Sequence, residues 1–124
     1  MYDANDLLFI QEEVLPLARD LSVPAKATLL REGVTSKNLY FIEEGIIRMW
    51  FNHNGKDITF QFFVSGDFVS SIESFFKRIP SDFSIETLKP CKLKVIDRDE
   101  LASRFQNSER AKEFLINLLS KRLY

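Results

Sequence analysis

One cysteine and one histidine occur among 124 residues. With Cys91 alone, no disulfide can form within the chain, which fits a reducing compartment. With His53 the one imidazole, a metal centre of His and Cys ligands is nearly excluded, and a β-roll metalloenzyme, which needs several His and a Glu converging inside a barrel, lacks its ligands. The sequence has no surplus of positive charge either: 17 Lys and Arg against 18 Asp and Glu leave a net charge of −1. Such a chain has no basic excess with which to hold a phosphate backbone, so any contact with DNA must come from elsewhere. No apolar run approaches the ~20 residues that a membrane span requires. The opening MYDANDLL lacks the positive start and apolar centre of a signal peptide, and the expected compartment is the cytoplasm.

What is present instead is phenylalanine, at twelve residues, within a composition of 45% hydrophobic and 28% charged residues. These fractions describe an ordinary globular domain, and the length allows one core, which the aromatic excess expects to find between two sheets. Residues 1–21 read as a helix of three to four turns, with Leu7, Leu8, Val14, Leu15, Ala18 and Leu21 at helical intervals, Asp3 or Asn5 as N-cap and a break near Pro16. From 22 to 96 the pattern shortens to strands: Lys26 to Leu30, Asn38 to Ile42, Ile46 to Phe51, Asp57 to Val64 and Lys92 to Ile96. The segment Asn52-His53-Asn54-Gly55-Lys56 between two apolar runs is a hairpin signal, because Asn-Gly suits the positive φ angles of a two-residue turn. The aromatic run Phe60, Phe62 and Phe63 is expected in the core, and Trp50 in the core or at a subunit contact.

The stretch Gly66 to Thr87 interrupts the strands. It opens on a Ser65-Gly66-Asp67 turn, carries Val69, Ile72, Phe75 and Phe76 at helical spacing, breaks at Pro80-Ser81-Asp82, and resumes as an alternating strand at Phe83, Ile85 and Thr87. Strand, short helix and returning strand make a cradle. Residues 97–124 read as two helices, the first capped by Asp97 with Glu100 three residues on, the second capped by Asn107 or Ser108 and striped by Ala111, Phe114, Leu115, Leu118, Leu119, Arg122 and Leu123. That second helix has no stop signal before Tyr124 and reads as cut short. Around eight short strands with helices at both ends argue for an antiparallel β-roll with helical caps, in a single domain.

The segments TLLREG (Thr28 to Gly33), NLYFIEEGIIRMW (Asn38 to Trp50), NHNGKDI and GDF (Gly66 to Phe68) resemble the cyclic nucleotide-binding domain of the cyclic AMP receptor protein (Crp/Fnr-type) family of bacterial transcription regulators. The resemblance runs from about Pro24 to Leu123, and Gly33, Gly45, Gly55 and Gly66 fall at that family's turns. It implies a jelly roll in which the cradle is a phosphate-binding cassette: a Gly-Glu pair holds the ribose hydroxyl, and an Arg with small neighbours clamps the cyclic phosphate. Carried over without a gap, the pair falls on Ser70-Ser71, the clamp Arg on Ser81 and its neighbours on Asp82 and Phe83. Both principal ligands are therefore replaced, so a cyclic nucleotide is disfavoured as the effector.

The site expected from these considerations is Ser70, Ser71, Ile72, Arg78, Ser81, Asp82 and Phe83, with Arg78 (beside Lys77) offering a replacement cation from the loop. No cofactor is required and no metal is expected. The resemblance further implies a homodimer joined through Leu115, Leu118, Leu119, Arg122 and Leu123, and DNA recognition through a separate domain beyond residue 124. No pairing of nucleophile and base suggests an enzyme; His53 reads as a turn residue and Cys91 as a packing residue. Two functions stand: the effector domain of a dimeric regulator, and a ligand-free β-roll for dimerisation or docking. Filling of the cradle by Phe75, Phe76 and Phe83 would favour the second.

Overall fold

The structure, a computed structural model, describes residues 4–106 and 108–120, and the side chains of all of these but 110, 114 and 118–120. Helix α1 (Ala4–Phe9) continues through a π-helical turn at Ile10–Val14 and a 3-10 turn at Leu15–Leu17. Pro16 lies in that last turn, where the missing N–H and rigid φ end helical pairing. The expected helix therefore stops short of Leu21. Residues Arg19–Val23 form strand β1 instead, in which Leu21 and Val23 turn towards the core while Arg19, Asp20 and Ser22 stay exposed. Asp3, one of the two expected N-caps, lies outside the described residues, and the other, Asn5, is inside the helix.

Seven more strands follow: β2 (Thr28–Leu30), β3 (Asn38–Glu44), β4 (Ile46–His53), β5 (Lys56–Val64), β6 (Phe68–Val69), β7 (Ser84–Thr87) and β8 (Cys91–Asp97). They make two four-stranded sheets, in the orders β1-β8-β3-β6 and β2-β7-β4-β5, and every pairing is antiparallel. Helix α2 (Ile72–Lys77) lies between β6 and β7, and α3 (Arg98–Phe105) and α4 (Glu109–Ser120) follow β8. This is the β-roll with helical caps that the sequence predicts.

The first sheet has a core on each face. Along β3, Leu39 joins a cluster with Ile10, Val14, Phe75 and Leu101, whereas Tyr40 and Ile42 join a second cluster with Ile47, Phe63 and Ile85. The two-residue period of a strand thus shares out successive side chains between a core against the helices and a core between the sheets. Burial of each large apolar side chain contributes about 1.5–3 kcal/mol. The hairpin forms as expected, with positive φ at Asn54 (53°) and Gly55 (83°), as a type I′ turn requires.

The aromatic run on β5 does not behave as a unit. Phe63 is buried at 3%, while Phe62 is 55% and Phe60 47% exposed. Met49 pairs with Gln61 and Trp50 with Thr59, so Phe60 is the extra residue of a bulge, and Phe62 stands on the outer side opposite Arg48. Trp50 is half-buried, with the Arg48 guanidinium 4.8 Å from its ring centroid. Gly45 is required for close approach: its φ is 122°, and a Cβ there would sit 2.3 Å from Cys91 Sγ. Cys91 is a buried packing residue whose thiol is pushed up in pKa by burial.

Helix α3 starts as the sequence predicts, with Asp97 Oδ1 accepting the N–H groups of Asp99 (2.9 Å) and Glu100 (3.0 Å). Ser108 Oγ accepts from Ala111 N at 3.1 Å at the start of α4. Among the described residues no helix is long and apolar enough to cross a membrane, and no group of His, Cys, Asp and Glu is placed to hold a metal ion.

Candidate functional site

The cradle contains a cavity of about 250 Å³, lined by Met49, Phe60, Ser70, Ser71, Ile72, Glu73, Ser74, Ile79, Pro80, Asp82 and Phe83. Strand β4 supplies Met49 and the β5 bulge supplies Phe60, which therefore faces this space rather than packing into either core. Phe83 meets Phe60 with ring centroids 4.9 Å apart and Phe51 edge-on at 6.0 Å. These rings form an apolar wall.

Opposite them lies a floor of serines, and the serines are engaged with one another. Ser70, Ser71, Ser74 and Ser81 are each under 5% exposed. Ser81 Oγ is hydrogen-bonded to Ser71 Oγ at 2.8 Å, lies 2.7 Å from the carbonyl oxygen of Phe83, and accepts the Phe83 N–H at 3.0 Å. Ser70 Oγ donates to the Asn38 carbonyl at 3.2 Å and lies 3.3 Å from Ser36 Oγ. Ser74 Oγ accepts from Ser36 N (2.8 Å) and donates to Ile79 O (2.5 Å). A buried hydroxyl left without a partner costs about 1–3 kcal/mol, so this network braces the loop from Ser70 to Phe83 internally and against Ser36 and the start of β3. Ser81 stands behind the cavity wall as a member of that network.

Of the expected site residues, Ser70, Ser71, Ile72, Asp82 and Phe83 line the cavity and Ser81 braces it. Arg78 does not join them. It caps α2 in the left-handed conformation, with φ 58°, its N–H bonded to Ser74 O, and its guanidinium reaches Asp99 on α3 at 2.9 Å. Here α2 ends at Arg78, and its left-handed turn sends the side chain towards α3. The pairing holds the Asp99 carboxyl below the usual carboxylate range.

Phe75 and Phe76 also turn away from the cradle. Both line a larger apolar cavity of about 380 Å³ between α2, α3 and α4, together with Leu101, Phe105, Leu115 and Ile116. The cradle remains open, with Phe83 alone of the three expected aromatics at its wall. Sequence reasoning missed Met49, Phe60, Glu73, Ile79 and Pro80 as lining residues; the bulge that turns Phe60 inward leaves no mark in the alternation of β5.

Of the expected dimer contacts, Leu115 is 4% exposed and belongs to the chain's own core beside Ala111 and Phe105. The side chains of Leu118 and Leu119, and Arg122 and Leu123 as whole residues, lie outside the described residues.

The family profile described as cyclic nucleotide-binding domain matches residues 20–108. Among solved structures, the chain is similar to the catabolite activator protein of Thermus thermophilus, at 16% identity and a TM-score of 0.77, over 98% of this chain and 55% of that one. It is also similar to the c-di-GMP-responsive global regulator CLP of Xanthomonas campestris, at 23% identity and a TM-score of 0.74, over 98% and 59%. A third is the regulatory domain of Toxoplasma gondii PKA, crystallised with cAMP, at 19% identity and a TM-score of 0.67, over 82% and 37%. The chain spans between about a third and three fifths of these relatives' length. A comparison with curated protein sequences gives no match.

Proposed function

Because this chain belongs to the cyclic nucleotide-binding domain family, we propose that it is the sensory effector domain of a transcription regulator of the catabolite activator type, with a degenerate phosphate cassette. The observation that carries this reading is the open cradle at the family's ligand position, walled by α2 and connected through Phe75 to the core against α3 and α4. A ligand seated between Glu73 and Asp82 bears directly on α2. Movement of α2 alters the packing of Phe75 against Leu101 and Phe105, and so biases the helices that lead out of the β-roll.

In this reading the protein is a cytoplasmic homodimer and not an enzyme. The dimer contact lies along α4 beyond Leu115, and DNA is read by a further C-terminal domain. The effector is a small molecule other than a cyclic nucleotide, because Ser71 and Ser81 occupy the positions of the two principal ligands. The test is a chimera in which this chain replaces the effector domain of a catabolite-type activator driving a reporter gene. The expected result is transcription that depends on a small molecule and is lost when Ile79→Trp fills the cradle. A folded, dimeric chimera whose output ignores both the cell's metabolites and that substitution would overturn the reading.

The second reading, a ligand-free β-roll for dimerisation or docking, is favoured by one observation: the serine hydroxyls of the cradle already satisfy one another.

A further inference from the structure

The ionisable groups lining the cradle are both carboxylates. Glu73, on α2, is 62% exposed at its side chain and meets Lys77 at 3.8 Å, while Asp82, on the loop before β7, has no ion pair or hydrogen bond among the described residues. Among the described residues no Lys or Arg lines the cavity. The nearest guanidinium in sequence, Arg78, is committed to Asp99 on the other side of α2. An anion entering this space meets the unpaired Asp82 carboxylate, with Lys77 already held at Glu73, whereas a cation gains Asp82, the outer Glu73 carboxylate and the aromatic wall of Phe60 and Phe83.

Size narrows the occupant further. At about 250 Å³ the cavity falls below the roughly 300–1,000 Å³ of pockets for drug-sized ligands, which suits a body of about one ring.

Resting on the effector-domain reading above, we propose that the cradle takes a small organic ammonium ion with an aromatic or compact apolar body. Its ring or methyl groups lie against Met49, Phe60 and Phe83, and its charge faces Asp82 and Glu73. The replacement of the clamp by the Ser71–Ser81 pair is then a change of ligand charge, and the cradle keeps its place in the fold.

The experiment uses matched probes that differ in charge: tyramine, phenethylammonium and choline against 4-hydroxyphenylacetate, phenylpropionate and cyclic AMP. Each is titrated up to about 10 mM by ligand-observed NMR and thermal shift, with the unsubstituted chain, Asp82→Asn, Glu73→Gln and Ile79→Trp. Circular dichroism verifies that each variant is folded. The expected result is binding by one or more ammonium probes that weakens about tenfold in Asp82→Asn, weakens as salt rises, and disappears in Ile79→Trp. Binding by a carboxylate that Ile79→Trp abolishes would overturn the ammonium class and leave the effector reading intact, whereas cyclic AMP binding that Ile79→Trp abolishes would overturn the ammonium class and also the exclusion of cyclic nucleotides from the effector reading. Silence of every ammonium probe, or binding indifferent to Ile79→Trp, would overturn the ammonium proposal, while the effector reading stands or falls with the chimera.

Discussion

The hydroxyls of Ser71 and Ser81 lie 2.8 Å apart, so two buried residues from opposite ends of the cradle loop share a neutral hydrogen bond. This bond closes the cradle's floor from within, and Ser81 also binds both the N–H and the carbonyl of Phe83. Ser81→Ala removes all three contacts at a buried position. The expected cost is about 2 kcal/mol, or a fall of roughly 6–10 °C in melting temperature, measured by thermal denaturation. A change within 1 °C would show that the network does not hold the loop.

Gly45 and Gly55 both have positive φ, yet their surroundings differ. A Cβ on Gly45 meets Cys91 Sγ at 2.3 Å and Cys91 Cα at 3.0 Å, whereas a Cβ on Gly55 meets nothing within 4 Å. Gly55→Ala is expected to cost about 1 kcal/mol for its backbone alone. Gly45→Ala adds overpacking and is expected to cost about 3 kcal/mol or more. Urea unfolding of the pair compares them, and equal midpoints would contradict the close approach at Cys91.

Arg48 ties three strands together. It donates to Glu86 on β7 at 2.9 Å and to Thr59 on β5 at 3.2 Å, and it lies over Trp50. Lysine keeps the charge but loses the fork and the planar stacking. Arg48→Lys is expected to cost about 1–2 kcal/mol. Because Trp50 is the chain's one tryptophan, its fluorescence reports the change, and an unaltered emission spectrum would argue against the stacking.

The Asp99 carboxyl is held below its ordinary pKa, first by the hydrogen bond from Arg78 and then by the charges of Arg78 and Arg98. A depressed carboxylate stabilises the fold at pH values above its unfolded pKa and loses that contribution as pH falls through the folded one. Arg78→Ala is therefore expected to raise the Asp99 pKa towards 3.8, and to flatten the acid side of the stability profile. Carboxyl-detected NMR titration reads the shift, and an unchanged titration curve would contradict the pairing.

The hairpin, the capped start of α3 and the division into roll and helices were legible in the sequence because each rests on local chemistry: Asn54-Gly55 favours positive φ, and Asp97 reaches N–H groups two and three residues on. Tertiary choices were less so. Leu21 fits the phase of the first helix as well as it fits β1, and pairing with Leu93 on β8 decides between them. Phe60 leaves the core because a bulge, which no residue type announces, displaces it into the cradle. Arg78 is a non-glycine residue in a left-handed turn, so its direction could not be foreseen from loop composition. Leu115 shares a stripe with residues expected at a dimer contact, and periodicity cannot distinguish a core from an interface.

The two cores that share β3 also constrain how this protein tolerates changes in length. One residue inserted between Leu39 and Ile42 would reverse the facing of the strand on one side of it, disturbing both cores at once by sending helix-facing side chains between the sheets or the reverse. The same insertion at Asn54-Gly55 would only lengthen a solvent-facing loop. Variation in length, whether natural or introduced, should therefore collect at the hairpin tip and spare the strand from Asn38 to Glu44.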